Sequence, residues 1–183
     1  PLVKAPLAPS VATPAPAEVA PAQRAIANKP VADAAIGQFA RSTRAMTLPQ
    51  FDVPTENGPI WALGSDFKAS FDDRGWAFIA QPAVGGESQP LGLRVLRATV
   101  ADKDLPMRNG QPVRHGQRID RDCGSFVESL DVTAANVEQT FTFASLPTRD
   151  ELVVSMAVET SLLGEDLGDG VAFRSPTTSV NYS

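Results

Sequence analysis

Residues 67–80 read FKASFDDRGWAFIA, and this stretch decides the fold. Two short runs rich in aromatic residues, 67–71 and 76–80, flank the loop residues Asp-Asp-Arg-Gly. Alternating apolar side chains predict strands with one buried face, and an Asp/Gly loop between two such runs predicts a β-hairpin. We therefore expect an antiparallel pair of strands here.

The same period of two continues to the end of the chain. It is clearest in residues 137–143 and 152–160, and further runs cover residues 91–100, 112–114, 117–119, 125–130, 171–173 and 178–182. Short strands at this spacing are typical of an antiparallel sandwich. We predict an all-β protein, an antiparallel β-sandwich of about nine strands over residues 48–183. The predicted core residues are Phe71, Phe78, Phe141, Phe143, Val154 and Met156, and Leu152 and Val158 should share the face of the last two.

The first 47 residues differ in composition from the rest. Seven of the 16 prolines lie within the first 30 residues, which are otherwise mostly Ala and Val. Residues 1–47 hold five basic and two acidic side chains, a charge of +3. Because the net charge of the whole chain is −5, the remaining residues carry a charge of −8. Such a segment favours extended conformations. We predict an Ala/Pro-rich arm over residues 1–47, either a solvated linker or an arm lying along a surface or sheet edge.

Composition excludes several classes of function. No apolar run reaches the roughly 18 residues of a membrane-spanning helix, and the polar runs are mixed in sign, so we expect neither a membrane span nor nucleic-acid binding. A single cysteine excludes an intrachain disulfide and a cysteine zinc cluster. Because the chain begins at Pro1, we expect it to be a processed fragment.

His115, Cys123 and Ser125 lie close together along the chain, beside Asp120 and Asp122. Together they supply the residue types of a nucleophile, a base and an orienting carboxylate. Their spacing matches no catalytic signature, however, because no G-x-S-x-G elbow is complete and the cysteine lacks a protease-type neighbourhood. We therefore expect no catalytic residues here, with Cys123 packed in the core and His115 in a turn.

The loop around Glu165, Asp166 and Asp169 is the candidate metal site. Three carboxylates and two glycines supply the oxygen ligands that calcium prefers, although the twelve-residue EF-hand pattern is missing. We expect no cofactor and favour a solvated turn for this loop, with calcium as the one candidate ligand. Arg118 and Arg121 alternate with acidic residues, which predicts cross-strand ion pairs at the surface.

Trp61 is the candidate binding residue. An indole face stacks well on the apolar face of a sugar, and Trp61 follows Pro59-Ile60 at the start of a run. Trp76 lies inside an aromatic run and is expected in the core. Trp61 is therefore the better candidate for a position at the rim.

Several strand runs resemble a known kind of module. GSFVESLDV at 124–132, VEQTFTF at 137–143 and LPTRDELVV at 146–154, with Trp61 and DFKASFDDRG at 66–75, resemble a β-rich module of large secreted planctomycete and myxobacterial proteins. In those proteins a similar module often precedes FG-GAP-like extracellular repeats. The resemblance covers residues 60–182 and implies a secreted or cell-surface bacterial setting and a chain that continues into further domains. It implies no catalytic residues.

Two functions remain open. The first is a non-catalytic extracellular module, structural or interacting, that assembles with other protein subunits or with further domains of a longer precursor. The second is an accessory domain or fragment of a secreted hydrolase, with its active residues on another part of the chain. The strand-rich body, the lack of a catalytic signature and the resemblance favour the first, and we expect the protein not to be an enzyme.

Overall fold

Strands make up all the regular structure that the computed structural model describes, which is residues 46–52 and 58–183. They are β1 (Gln50–Phe51), β2 (Ile60–Leu63), β3 (Phe67–Phe71), β4 (Trp76–Ala80), β5 (Pro90–Val100), β6 (Lys103–Asp104), β7 (Pro112–His115), β8 (Arg118–Asp122), β9 (Phe126–Val132), β10 (Val137–Phe143), β11 (Leu152–Glu159), β12 (Leu163–Asp166), β13 (Val171–Arg174) and β14 (Ser179–Tyr182). The predicted all-β class is confirmed. The short strands β1, β2, β6 and β12 were not predicted. The predicted arm lies outside the described residues, except for residues 46–47.

The strands form three antiparallel sheets. The large sheet has the order β1-β2-β3-β4-β5-β11, and β6 also pairs with β5. The second sheet has the order β10-β9-β8-β7, and the third has the order β12-β13-β14. One cluster of buried side chains contains residues from all three sheets, such as Phe71, Ile119 and Phe173. The second and third sheets therefore pack on the large sheet as a sandwich.

The β3–β4 hairpin forms as its sequence predicts. Asp72 Oδ1 accepts hydrogen bonds from the backbone N–H groups of Arg74 (2.8 Å) and Gly75 (3.0 Å). A Cβ atom at Gly75 would lie 2.2 Å from the carbonyl oxygen of Leu93, so only glycine fits at this position. The loop sequence therefore fixes both the turn and its close approach to β5.

Two apolar clusters fill the sandwich. In the first, Phe67 stacks on Phe78 with ring centroids 4.7 Å apart. In the second, Phe126 contacts Phe141 and Phe143. Among the predicted core residues Phe71 is fully buried, whereas the others are half-buried and pack against the clusters; these are Phe78, Phe141, Phe143, Val154 and Met156.

A bulge in β5 keeps its core face continuous. Ser155 of β11 pairs with Arg97 and Met156 pairs with Val95, so Leu96 has no partner in the ladder. The extra residue reverses the alternation of β5, and Val95 before the bulge and Ala98 after it are both buried. The eleven-residue strand can therefore follow the whole length of the core.

Candidate functional site

β11 lies at an edge of the large sheet and is the longest edge strand in the described part of the chain. β11 ends the large sheet and, among the described strands, pairs only with β5. It has eight residues, LVVSMAVE, and its single charge is Glu159. Backbone N–H and C=O groups along such an edge can bind another strand.

The other edges of the three sheets are shorter or more polar. β1 has two residues, β7 begins with Pro112 and contains Arg114, and β12 ends in two carboxylates. On β10, the exposed side chains are Glu138 and two threonines. Prolines, charges and short length hinder pairing with another chain. β11 has none of these features except its terminal glutamate.

Apolar side chains of β11 are exposed because no described strand follows it. Leu152 is 37% exposed and Val158 is 45% exposed, although their partners in the β5 ladder, Val100 and Leu93, are buried. Opposite residues of a ladder share a face, so both belong to the core-facing side of the sheet. Val153 points to the other side and is 41% exposed. Both faces of β11 therefore present apolar surface to a partner strand.

A buried ion pair crosses the second sheet. Arg121 and Glu128 are opposite each other in the β8–β9 ladder and are 5% and 0% exposed. Arg121 Nε donates to Glu128 Oε2 at 2.8 Å, its Nη2 donates to the same oxygen, and its Nη1 donates to the carbonyl of Asp73 at 3.1 Å. The predicted surface pair is therefore wrong for Arg121, because its side chain lies on the same face of β8 as buried Ile119.

The ion pair extends into a network that reaches the third sheet. Gln139 donates to Glu128 Oε1 at 2.5 Å and accepts a 2.8 Å hydrogen bond from the Tyr182 hydroxyl. Burial, and then the charge of Glu128, raise the pKa of Tyr182. The network links β8, β9, β10 and β14, and we assign it a structural role.

Arg118 and Asp131 form the surface pair that the sequence predicts. Their two hydrogen bonds, at 2.9 and 2.5 Å, are bidentate, and both side chains are more than one-third exposed. The hydrogen bond from Arg118 lowers the pKa of Asp131. This pair lies in the same β8–β9 ladder as Arg121 and Glu128 but faces solvent.

A cavity of about 270 Å³ lies between β4 and β5 of the large sheet, the start of β10, and β14. Its walls include Phe78, Leu91 and Val180, and its polar lining includes Asp66 and Asn136. Trp76 also lines it, but the indole N–H is buried and has no hydrogen-bond partner among the described residues.

The described hydrogen bonds do not join the residues that the sequence offers as a nucleophile, a base and an orienting carboxylate. The Ser125 hydroxyl donates to the carbonyl of Pro106 at 2.7 Å, and Asp120 accepts from Ser129 at 2.7 Å. Asp122 is paired with Arg108, which lowers the pKa of its carboxyl group. His115 is exposed at the β7–β8 turn and Cys123 is buried. These side chains therefore contact other parts of the structure and not one another.

Cys123 is expected to resist thiol reagents in the folded protein. It is 1% exposed, and burial raises the pKa of its thiol, which reduces the reactive thiolate. We expect labelling by Ellman's reagent at pH 8 to be at least ~100-fold slower than in urea, because reaction requires local opening. A cysteine at exposed Thr142, in a Cys123→Ser background, is the control and should react rapidly. Equal rates for the two sites would contradict this burial.

The three predicted calcium ligands are not brought together. Glu165 forms an ion pair with Arg174 at 2.9 Å, and Asp166 accepts from the backbone N–H of Gly168 at 2.8 Å. Glu165 and Asp166 are neighbours in β12, so they point to opposite faces. Within residues 46–52 and 58–183, no three acidic, His or Cys side chains are grouped as metal ligands. The geometry therefore gives the calcium prediction no support.

Trp61 lies on the outer face of the large sheet. Its neighbours Ile60 and Ala62 are buried on the core face, whereas Trp61 is half-buried on the opposite one. Trp76 is 7% exposed and belongs to the core, as predicted. The two indoles lie on opposite faces and do not form a shared platform, so sugar binding at Trp61 stays a prediction.

Comparison with protein-family models, curated proteins and solved structures finds no match to this chain. The resemblance to the planctomycete and myxobacterial module therefore stays a prediction. Within the described residues, no helix is long and apolar enough to cross a membrane.

Proposed function

We propose that this chain is a non-catalytic extracellular or cell-surface module that assembles with other protein subunits. The observation that carries the proposal is the edge of β11, with eight residues, one charge and exposed apolar side chains on both faces. The resemblance of residues 60–182 to a module of large secreted bacterial proteins supports the setting.

The proposed mode of binding is addition of a strand to the large sheet. An extended partner segment pairs its backbone with β11, and its side chains cover Leu152 and Val158 on one face and Val153 on the other. Backbone pairing supplies affinity, while the apolar contacts on alternate faces select the partner sequence. This binding requires no catalytic group and leaves the buried network intact.

Site-specific photocrosslinking in the native host tests this function. A photoreactive amino acid at Val153 should give a covalent adduct of defined mass in the secreted or cell-surface fraction. Val113 on β7 is the matched control, because it is also an exposed valine on an edge strand, at 51%. A second substitution, Val158→Lys, should abolish the adduct. Equal adducts from Val153 and Val113, or an adduct that survives Val158→Lys, would contradict strand addition at β11.

A further inference from the structure

We infer that the cavity between β4, β5, the start of β10 and β14 binds a small organic cation of the quaternary ammonium type. The inference is independent of the proposed function, because none of the residues that line this cavity belongs to β11. It follows from the kinds of side chain around the cavity and from the way they are held.

Three aromatic side chains line the cavity. Trp76 and Phe78 come from the core face of β4, and Tyr182 comes from β14 of the third sheet. Leu91 and Leu93 of β5 also line it and are buried. The face of an aromatic ring attracts a cation, most strongly where water is excluded. This lining therefore suits a cation whose charge is surrounded by methyl groups, and not a strongly hydrated ion.

The aromatic side chains are held by contacts outside the cavity. Phe78 stacks on Phe67 with ring centroids 4.7 Å apart, and the Tyr182 hydroxyl donates to Gln139 at 2.8 Å. Trp76 is 7% exposed within the first apolar cluster. Rings that are already ordered lose little entropy when a ligand binds.

Charge at the rim of the cavity favours a cation over an anion. Asp66 is exposed and is the only charged residue among the described residues that line the cavity. The other exposed polar residues of the lining are uncharged, and they are Asn136, Ser179 and Asn181. A carboxylate at the mouth of a cleft, with no basic side chain beside it in the lining, attracts cations and repels anions.

The rim is fixed by the backbone, and the cavity has room for such a ligand. The N–H of Ser65 donates to the carbonyl of Ala134 at 2.7 Å, which joins the β2–β3 turn to the β9–β10 turn. The N–H of Gln81 donates to the carbonyl of Asp66 at 2.6 Å. A cavity of about 150 Å³ accommodates benzene. The volume of about 270 Å³ here therefore leaves space for a trimethylammonium group and a short substituent.

An NMR titration of the full chain with choline in low-salt buffer tests the inference. Choline should shift the indole N–H resonance of Trp76 in a saturable manner. Trp61 is the internal control, because it lies on the outer face of the same sheet and its resonance should not move. Dimethylbutanol, the neutral isostere with carbon in place of nitrogen, should bind at least about fivefold more weakly because it lacks the cation–π attraction.

Two pairs of variants locate the site. Asp66→Asn should weaken choline binding about threefold, whereas Asp169→Asn removes an exposed carboxylate outside the cavity and should have no effect. Ala80→Leu fills the cavity and should weaken binding at least about tenfold. Ala77→Leu makes the same change on the opposite face of β4 and should leave binding unchanged. Circular dichroism checks that each variant is folded.

Several results would overturn the inference. They are a Trp76 resonance that choline does not shift, equal affinities for choline and dimethylbutanol, and equal effects within either pair of variants. Sedimentation with phosphatidylcholine vesicles distinguishes the two sources of this ligand chemistry. Cosedimentation that choline reverses would identify a lipid headgroup, whereas choline binding without cosedimentation would identify a free cation.

Discussion

Replacing Glu128 by alanine is expected to lower the free energy of unfolding by about 3–5 kcal/mol, because it leaves the buried guanidinium of Arg121 without its counter-ion. Arg121 is 5% exposed and donates two of its hydrogen bonds to the carboxylate. Gln139 also loses an acceptor, and it is the link to Tyr182 of the third sheet. Urea unfolding followed by circular dichroism measures the loss.

Asp131→Ala is the matched control for this effect. Asp131 also pairs with an arginine of β8 through two hydrogen bonds, but this pair is exposed to solvent. Removing an exposed partner should cost only about 0–1 kcal/mol. Burial is then the variable that separates the two variants. A loss for Glu128→Ala no larger than that for Asp131→Ala would refute the assigned importance of the buried pair.

A double replacement separates the cost of a lone charge from the value of the pair. Arg121→Met combined with Glu128→Leu removes both charges and keeps apolar volume, so it should recover most of the stability lost in Glu128→Ala. If the double variant is as unstable as Glu128→Ala, the network contributes through its hydrogen bonds to Asp73 and Gln139, which neither apolar side chain can replace.

Local sequence patterns were sufficient to predict most strands. The alternation in residues 137–143 gave the bounds of β10, and the Asp72–Gly75 loop gave the β3–β4 hairpin, because both depend on neighbours along the chain. β1 and β6 have two residues each and are defined only by their pairing with a neighbouring strand. Two residues are too few to show an alternation of apolar and polar side chains. The bulge at Leu96 also depends on pairing with β11.

The candidate site could be predicted only in part, because it depends on the order of strands in the sheet. The run Leu152–Glu159 shows one charge in the sequence, but nothing local indicates that β11 ends its sheet. Arg121 is two residues after Ile119 in β8, and Glu128 is two residues before Leu130 in β9. This spacing was the available signal in the sequence that both charged side chains share the core face with apolar residues. The density of charges in residues 118–122 favoured the surface interpretation and concealed that signal.

Phe71→Ala is expected to cost about 3–5 kcal/mol in the free energy of unfolding, because it leaves a large cavity in the first apolar cluster. Phe71 is 1% exposed, packs in the cluster shared by all three sheets, and stacks on Trp76 with ring centroids 6.4 Å apart. The same change at Phe141 should cost less than about 3 kcal/mol, because that ring is half-buried and part of its surface stays in contact with water. Both values come from urea unfolding of the full chain. If Phe141→Ala were the more damaging change, the second cluster and not the first would dominate the stability of the sandwich.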